Sequence, residues 1–131
     1  MVNTEFKTIA DLLKDFPTEQ SCINHLEELR WNGNIVSPFD SNSRVYKCSL
    51  NKYRCKTTGK YFNVRTGTLF DNTKIDLRKW FQAIFITKIL NTEISSIQLS
   101  KELGITQKTA WIMLSRIKKS LKQNNNSKNE R

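Results

Sequence analysis

Between Ser43 and Val64 apolar and polar residues alternate with a period of two, whereas on either side of that stretch apolar residues recur every three or four positions. One pattern lines a single face of a strand and the other a single stripe of a helix, so the chain is expected to be α+β. Val45-Tyr46-Lys47-Cys48, Tyr53-Arg54-Cys55 and Lys60-Tyr61-Phe62-Asn63-Val64 read as three short antiparallel strands. Turns at residues 49–51 and at Thr57-Thr58-Gly59 separate them, and Thr66-Gly67-Thr68 closes the ribbon.

The flanks are helical. Thr4 is a candidate cap for a first helix with its stripe at Phe6, Ile9, Ala10, Leu12 and Leu13, ended by Pro17. Thr18 opens a second helix, with Cys22, Ile23, Leu26 and Leu29 on its apolar face and Trp31 at its end. The pair reads as a small helical hairpin whose first role is packing. After the loop at Asp71-Asn72-Thr73, Asp76 is placed to cap a long helix over residues 77–90. Leu77, Trp80, Phe81, Ile84, Phe85 and Ile89 give that helix a wide apolar face, which puts it at the centre of a helical core. Ser95 or Ser96 caps a short helix to Leu103, Gly104 suits a left-handed C-cap, and Thr106 caps a last helix over residues 107–121. The Asn- and Lys-rich tail, 122–131, is expected to be disordered. The expected layout is thus a helical hairpin (1–34), a basic β-ribbon (35–70), a three-helix unit (71–121) and the tail.

Charge narrows the function. The 131 residues carry a net charge of +10, which suggests an anionic partner, nucleic acid first. The charge is also segregated. Residues 41–70 contain no acid and seven bases: Arg44, Lys47, Lys52, Arg54, Lys56, Lys60 and Arg65. Residues 104–129 are again acid-free, with Lys108, Arg116, Lys118, Lys119, Lys122 and Lys128. A merely soluble surface does not need such separation. No apolar run is long enough to cross a membrane, and Met1 to Phe6 lacks a secretory pattern, so the expected address is cytoplasmic. Cys22, Cys48 and Cys55 are an odd number of cysteines and read as reduced thiols rather than a disulfide framework.

The span from Ile97 to Ile117 has the layout of a helix-turn-helix: a short helix, a glycine, one apolar residue, a capping threonine and a second helix. Leu99, Leu103, Ala110, Met113, Leu114 and Ile117 are expected to face inward, and the small Ala110 permits a close crossing. Gln107, Lys108, Trp111, Ser115 and Lys118 are left facing outward. Glutamine reads adenine edges, lysine reaches guanine or phosphate, and the first turn of such a helix enters the major groove. Arg116, Lys118 and Lys119 are placed to grip phosphates. Trp111 reads first as packing on the 77–90 helix, with stacking on sugar and phosphate as the alternative. The basic ribbon is a second candidate surface, able to lie along phosphates.

These residues also carry a resemblance. Phe16-Pro17-Thr18-Glu19, Leu29-Arg30-Trp31, Tyr53-Arg54-Cys55-Lys56, Phe62-Asn63-Val64-Arg65-Thr66-Gly67-Thr68-Leu69-Phe70, Leu77-Arg78-Lys79-Trp80-Phe81, Ile94-Ser95-Ser96-Ile97-Gln98-Leu99 and the stretch from Gln107 to Ile117 together resemble, in order over about residues 5–120, the N-terminal region of zinc-ribbon insertion-sequence transposases. The resemblance implies a helical hairpin, a four-cysteine zinc ribbon, a helix-turn-helix and a following DDE nuclease domain. Two departures matter. Where the family has Cys-Pro-x-Cys this chain has Ser37-Pro38-Phe39-Asp40, and where Cys55 opens the second knuckle its partner position holds Thr58. Cys48, Asp40 and His25 do not have ribbon spacing, and His25 reads as a boundary residue of the second helix. No metal or other cofactor is therefore expected, and Val45, Tyr46, Tyr53, Tyr61, Phe62 and Val64 are left to hold the ribbon. DDE chemistry needs converging carboxylates on two metals, but beyond Asp76 only Glu93, Glu102 and Glu130 remain, so no catalytic residue and no small-molecule substrate are expected.

The expected function is duplex DNA binding, at transposon ends, without catalysis, by a truncated or stand-alone transposase-like chain. The alternative is a protein-interaction module that assembles with a second copy or a full-length transposase. A chelator such as EDTA should leave the far-ultraviolet circular dichroism unchanged; collapse of the spectrum on chelation would contradict the loss of the zinc ligands.

Overall fold

The computed structural model describes residues 8–90 and 93–129, the stretch 121–129 by its backbone alone. The elements run α1 (Ile9–Asp15), α2 (Glu19–Trp31), β1 (Val45–Ser49), β2 (Lys52–Cys55), β3 (Tyr61–Phe62), α3 (Leu77–Ile84), α4 (Ser96–Leu103) and α5 (Gln107–Asn129). The fold is α+β, as the two periods require. The chain divides into two compact units: Phe16–Leu77, with α2 and the sheet, and residues 8–15 with 78–129, which hold α1 and α3 to α5.

Local hydrogen bonding explains where the helices begin. Thr4 and Phe6 lie outside the described residues; α1 is capped by Thr8, whose Oγ1 accepts from the Asp11 amide at 3.1 Å. Thr18 and Ser21 form a reciprocal capping box at the start of α2, and Asn32 ends that helix in the left-handed region. Cys22, Leu26 and Trp31 are buried along α2, while Leu29 is exposed.

In the first unit the antiparallel sheet has the order β1-β2-β3. Tyr46 opposes Arg54, and Arg54 opposes Tyr61; on the other phase Tyr53 opposes Phe62, and the β1–β2 register slips between Lys47 and Ser49. Because strand side chains alternate, Tyr53, Cys55 and Phe62 turn inward and are buried, as is Val64 beyond the last strand. Tyr46 and Tyr61 do not join them. They fall on the opposite phase from Tyr53 and Phe62, so the expectation that they hold the ribbon is corrected: both are exposed. The core is instead an aromatic trio. The Trp31 ring meets Tyr53 at 5.5 Å and Phe62 at 6.0 Å edge-on, and Tyr53 stacks on Phe62 at 5.7 Å.

Polar ties join α2 to the ribbon. The Tyr53 hydroxyl donates to Glu27 Oε2 at 2.9 Å. Burial, with that hydrogen bond and the carboxylate charge, pushes the phenol up to about 12. Gln20 and Asn51 exchange side-chain amide hydrogen bonds at 2.9 and 2.8 Å. Arg30 donates to the Val64 carbonyl at 2.8 Å.

Cys55 sits at the inner end of β2, fully buried. Burial pushes its thiol up, but hydrogen bonding with Ser37, Ser43 and Thr58 outweighs that and holds it down to about 6. Ser37 is itself buried, and its Oγ accepts from the Phe39 and Asp40 amides at 3.0 and 3.3 Å. The Lys60 amide donates to Thr58 Oγ1 at 3.3 Å.

In the second unit, α3 carries the expected apolar face, with Trp80, Phe81, Ala83 and Ile84 buried. The helix expected to run on to residue 90 changes winding instead. Phe85–Ile89 is a π-helical turn, closed by the Leu90 amide bonding the Phe85 carbonyl at 3.0 Å. Thr87 Oγ1 donates to the Ala83 carbonyl at 2.9 Å, which supplies a local partner where the regular ladder loosens.

The α4–α5 pair follows the predicted grammar. Ser95 Oγ accepts from the Gln98 amide and Gln98 Oε1 from the Ser95 amide, each at 3.1 Å. Gly104 ends α4 at φ 66°, a backbone position that favours glycine. Thr106 Oγ1 accepts from the Thr109 amide at 3.1 Å and caps α5. Lys79 Nζ donates to the Leu103 carbonyl at 2.6 Å, placing a cation at the negative end of α4. Leu99 and Leu103 of α4 and Ala110, Met113, Leu114 and Ile117 of α5 are buried. Ile105, the apolar residue of the turn, is half-buried. The expected end of α5 near residue 121 is corrected: its backbone stays helical to Asn129. Neither proline nor glycine follows Leu121 to break it. Residues 130 and 131 of the expected disordered tail lie outside the described residues.

Two outcomes follow from this packing. Ala110→Leu forces extra volume into the α4–α5 crossing and should cost about 1–3 kcal/mol, read as a lower melting temperature; an unchanged melt would mean the helices do not cross tightly there. Cys55 has a folded pKa of about 6 against an ordinary 9.0, a depressed acid, so its contribution is present above pH 9 and lost as pH falls through 6. Stability should therefore rise between those limits, and Cys55→Ser should flatten that rise in urea melts at a series of pH values. Identical slopes in the two proteins would rule the linkage out.

Candidate nucleic-acid interface

In the first turn of α5 Ala110 is buried, and Gln107 and Lys108 lie off that inward stripe. Gln107 and Lys108 are exposed there, and Trp111, one turn on, is 62% exposed. The expectation that Trp111 packs on the α3 helix is corrected. Buried Ala110, Met113 and Leu114 set the inward stripe of α5, and position 111 falls outside it. Gln107 Nε2 makes only a long contact, 3.4 Å, to Ser96 Oγ. Farther along, Ser115 and Arg116 are half-buried, and Lys118 and Lys119 are exposed. One side of α5 thus presents a hydrogen-bonding amide, an indole and several cations. Exposed Ile97 on α4 adds apolar surface in the same unit.

The second collection of predicted residues lies on the first unit. Arg44, Lys47, Lys52, Arg54, Lys56 and Lys60 are all exposed. On the outer phase of the sheet Lys52 and Arg54 are interleaved with rings that charge alone does not reveal, while Lys47 falls opposite the inward Tyr53. Lys52 Nζ lies 4.3 Å from the Tyr61 ring centroid, and the Arg54 guanidinium lies 6.0 Å from it. Lys60 Nζ lies 5.3 Å from the Phe39 ring. Tyr46 and Tyr61 are 44% and 55% exposed. Cross-strand register reveals this face, since Tyr46 and Tyr61 share the phase of Arg54.

Arg65 is placed differently from the other predicted cations. Its side chain is 16% exposed and pairs with Glu19 at 3.6 Å. Its guanidinium donates to the Ile75 carbonyl at 2.9 Å and to the Thr73 carbonyl at 3.3 Å. It therefore clamps the loop after the ribbon rather than joining the outward cations. His25, on α2, lies 5.0 Å from the Phe16 ring and is half-buried, a boundary residue.

The zinc that the resemblance implies does not fit the residues present. The Cys55 sulfur is surrounded by neutral hydroxyls, whereas structural zinc takes thiolates, imidazoles or carboxylates. Of the remaining cysteines, Cys22 is buried on α2 and Cys48 is exposed on β1. Among the described residues no group of three or more His, Cys, Asp or Glu is gathered as a metal site. Among the same residues no helix is long and apolar enough to cross a membrane.

No protein-family model matches the chain, and no solved structure matches it. The chain is 31% identical over 113 residues to an uncharacterized protein in transposable element ISH50 of Halobacterium salinarum. The match covers 83% of this chain and 38% of the relative, so the chain spans well under half the length of that protein. This homology supports an insertion-sequence origin for the chain.

Proposed function

We propose that the chain is the DNA-binding module of a transposase-like protein, and that α4, the turn at Gly104 and α5 act as a helix-turn-helix on duplex DNA at the ends of an insertion element. The observation that carries this reading is the division of α5. Ala110, Met113, Leu114 and Ile117 are buried, while Gln107, Lys108 and Trp111 stand exposed around its first turns. A helix entering the major groove needs that arrangement, with polar side chains at the entering end and an apolar side that fixes its angle. Gln107 suits an adenine edge and Lys108 a guanine or a phosphate. Lys118 and Lys119 suit phosphates farther along, in a stretch with no acid to repel the backbone. Similarity to a protein of a transposable element supplies a setting in which element ends are the natural target.

The reading assigns no catalytic step to these residues. Glu93 and Glu102 are both exposed, and among the described residues no set of acids is gathered as a two-metal site. Specificity belongs to α5, while the exposed bases of the ribbon add sequence-independent affinity.

Selection of bound duplexes from a random pool, followed by anisotropy titrations over a salt series, tests the proposal. Affinity should fall steeply with salt. Gln107→Ala with Lys108→Ala should weaken the selected duplex by about 10-fold or more, since each good base contact is worth about 1–3 kcal/mol. Binding to a scrambled duplex should change much less. Equal loss on both duplexes would remove base reading from α5, and no binding at low salt would remove the proposal.

A further inference from the structure

The outer side of the three-stranded sheet combines two features that a simple phosphate grip does not need. Tyr46, Arg54 and Tyr61 stand opposite one another across β1, β2 and β3, on the side away from the buried Tyr53 and Phe62. Two exposed tyrosines thus flank one arginine in a single cross-strand row, with the Arg54 guanidinium 6.0 Å from the Tyr61 ring and its Nε donating to the Gly59 carbonyl at 3.4 Å. The outer strands of three lie about 10 Å apart, enough to separate two aromatic platforms with a cation between them. Lys52 adds charge beside the ring of Tyr61. No acid occurs between residues 41 and 70.

We propose that this face binds single-stranded DNA, with unpaired bases stacking on Tyr46 and Tyr61 and the intervening phosphate held by Arg54. A duplex hides the faces of its bases and offers only their edges and its phosphates. An unpaired strand offers faces and phosphates in alternation, which is the pattern of ring, cation and ring on the sheet. Stacking is indifferent to base identity, because every base has a π face, so the site should be tolerant of sequence. Lys52 resting over Tyr61 does not block it. An exposed cation–π contact is the weaker interaction, and a displaced ammonium stays within reach of the strand's phosphate. The proposal is independent of duplex reading by α5 and stands or falls separately.

Anisotropy with labelled (dT)12, run alongside the selected duplex, tests it on the full chain. Tyr46→Ala with Tyr61→Ala should weaken (dT)12 by about 5- to 150-fold for each stacked base lost, which corresponds to about 1–3 kcal/mol. Tyr46→Phe with Tyr61→Phe keeps the rings and should bind (dT)12 like the parent. Gln107→Ala with Lys108→Ala should leave (dT)12 binding intact. Photo-crosslinking of the unmodified chain to an oligonucleotide bearing 5-iododeoxyuridine should label Tyr46 or Tyr61, a readout that no variant's folding can affect. Parent-like binding by the alanine pair, no binding of (dT)12 at low salt, or crosslinks confined to α5 would overturn the proposal.

Discussion

A charged side chain cannot be buried without partners, and this protein carries 22 lysines and arginines against 12 acids. Each element must therefore separate a small apolar set from a large cationic one. The strands do so by alternation: Tyr53 and Cys55 turn in, and Lys52 and Arg54 turn out. Helix α5 does so by its stripe, with Ile117 buried beside exposed Lys118. The exceptions show the rule. Arg30 and Arg65 are both half-buried, and each donates to backbone carbonyls, Arg30 to Val64 and Arg65 to Thr73 and Ile75. Arg78, Lys79, Lys88 and Arg116 are half-buried as well, and Lys79 likewise donates to a backbone carbonyl, while the bases of residues 41–60 stand exposed.

The ribbon shows how a small three-stranded sheet holds together by packing and hydrogen bonds. Three short strands bury little area by themselves. Stability is drawn from the Trp31–Tyr53–Phe62 rings and from hydrogen bonds that run between α2 and the strands. The turn at Ser37 is pinned by its own hydroxyl, which gathers the amides of Phe39 and Asp40. The Cys55 thiol is held down by donors in the way that backbone and hydroxyl groups stabilise a buried anion. Hydrogen bonds and ring packing thus converge on the loops around Cys55 and Ser37, while His25 packs on Phe16 and Cys48 stands exposed on β1.

What was legible in the sequence was mostly local. Ser95, Gly104 and Thr106 announce their caps because each satisfies backbone groups within three or four residues, and no distant contact is needed to read them. Strand positions were equally visible, because alternation spans a handful of residues. Strand phase was not. Whether Tyr46 and Tyr61 face in or out depends on which residues oppose them, and register is set by turns and by the slip between Lys47 and Ser49. Arg65 was indistinguishable from its neighbours by charge, since only the placed carbonyls of Thr73 and Ile75 mark it as a clamp. The π-helical turn at Phe85–Ile89 was hidden for a similar reason: its residues continue the apolar spacing of α3 with no proline or glycine to interrupt it, and nothing local announces the extra residue in the turn.

The two cationic surfaces differ in the geometry they offer, and that difference separates the forms of DNA they suit. On α5, Gln107 and Lys108 project from the end of a rod of groove width, and an amide and an ammonium match the hydrogen-bonding chemistry of base edges. On the sheet, Tyr46 and Tyr61 offer flat faces around Arg54, and a base edge gains nothing from a ring face. A groove-reading helix is of little use to a strand without a groove, and a stacking platform is of little use to a helix whose bases are already stacked. Basic charge is common to both surfaces and accounts for attraction alone. The uncharged groups among the cations, an amide and an indole on α5 and phenols on the sheet, decide which conformation of the polyanion each surface can hold.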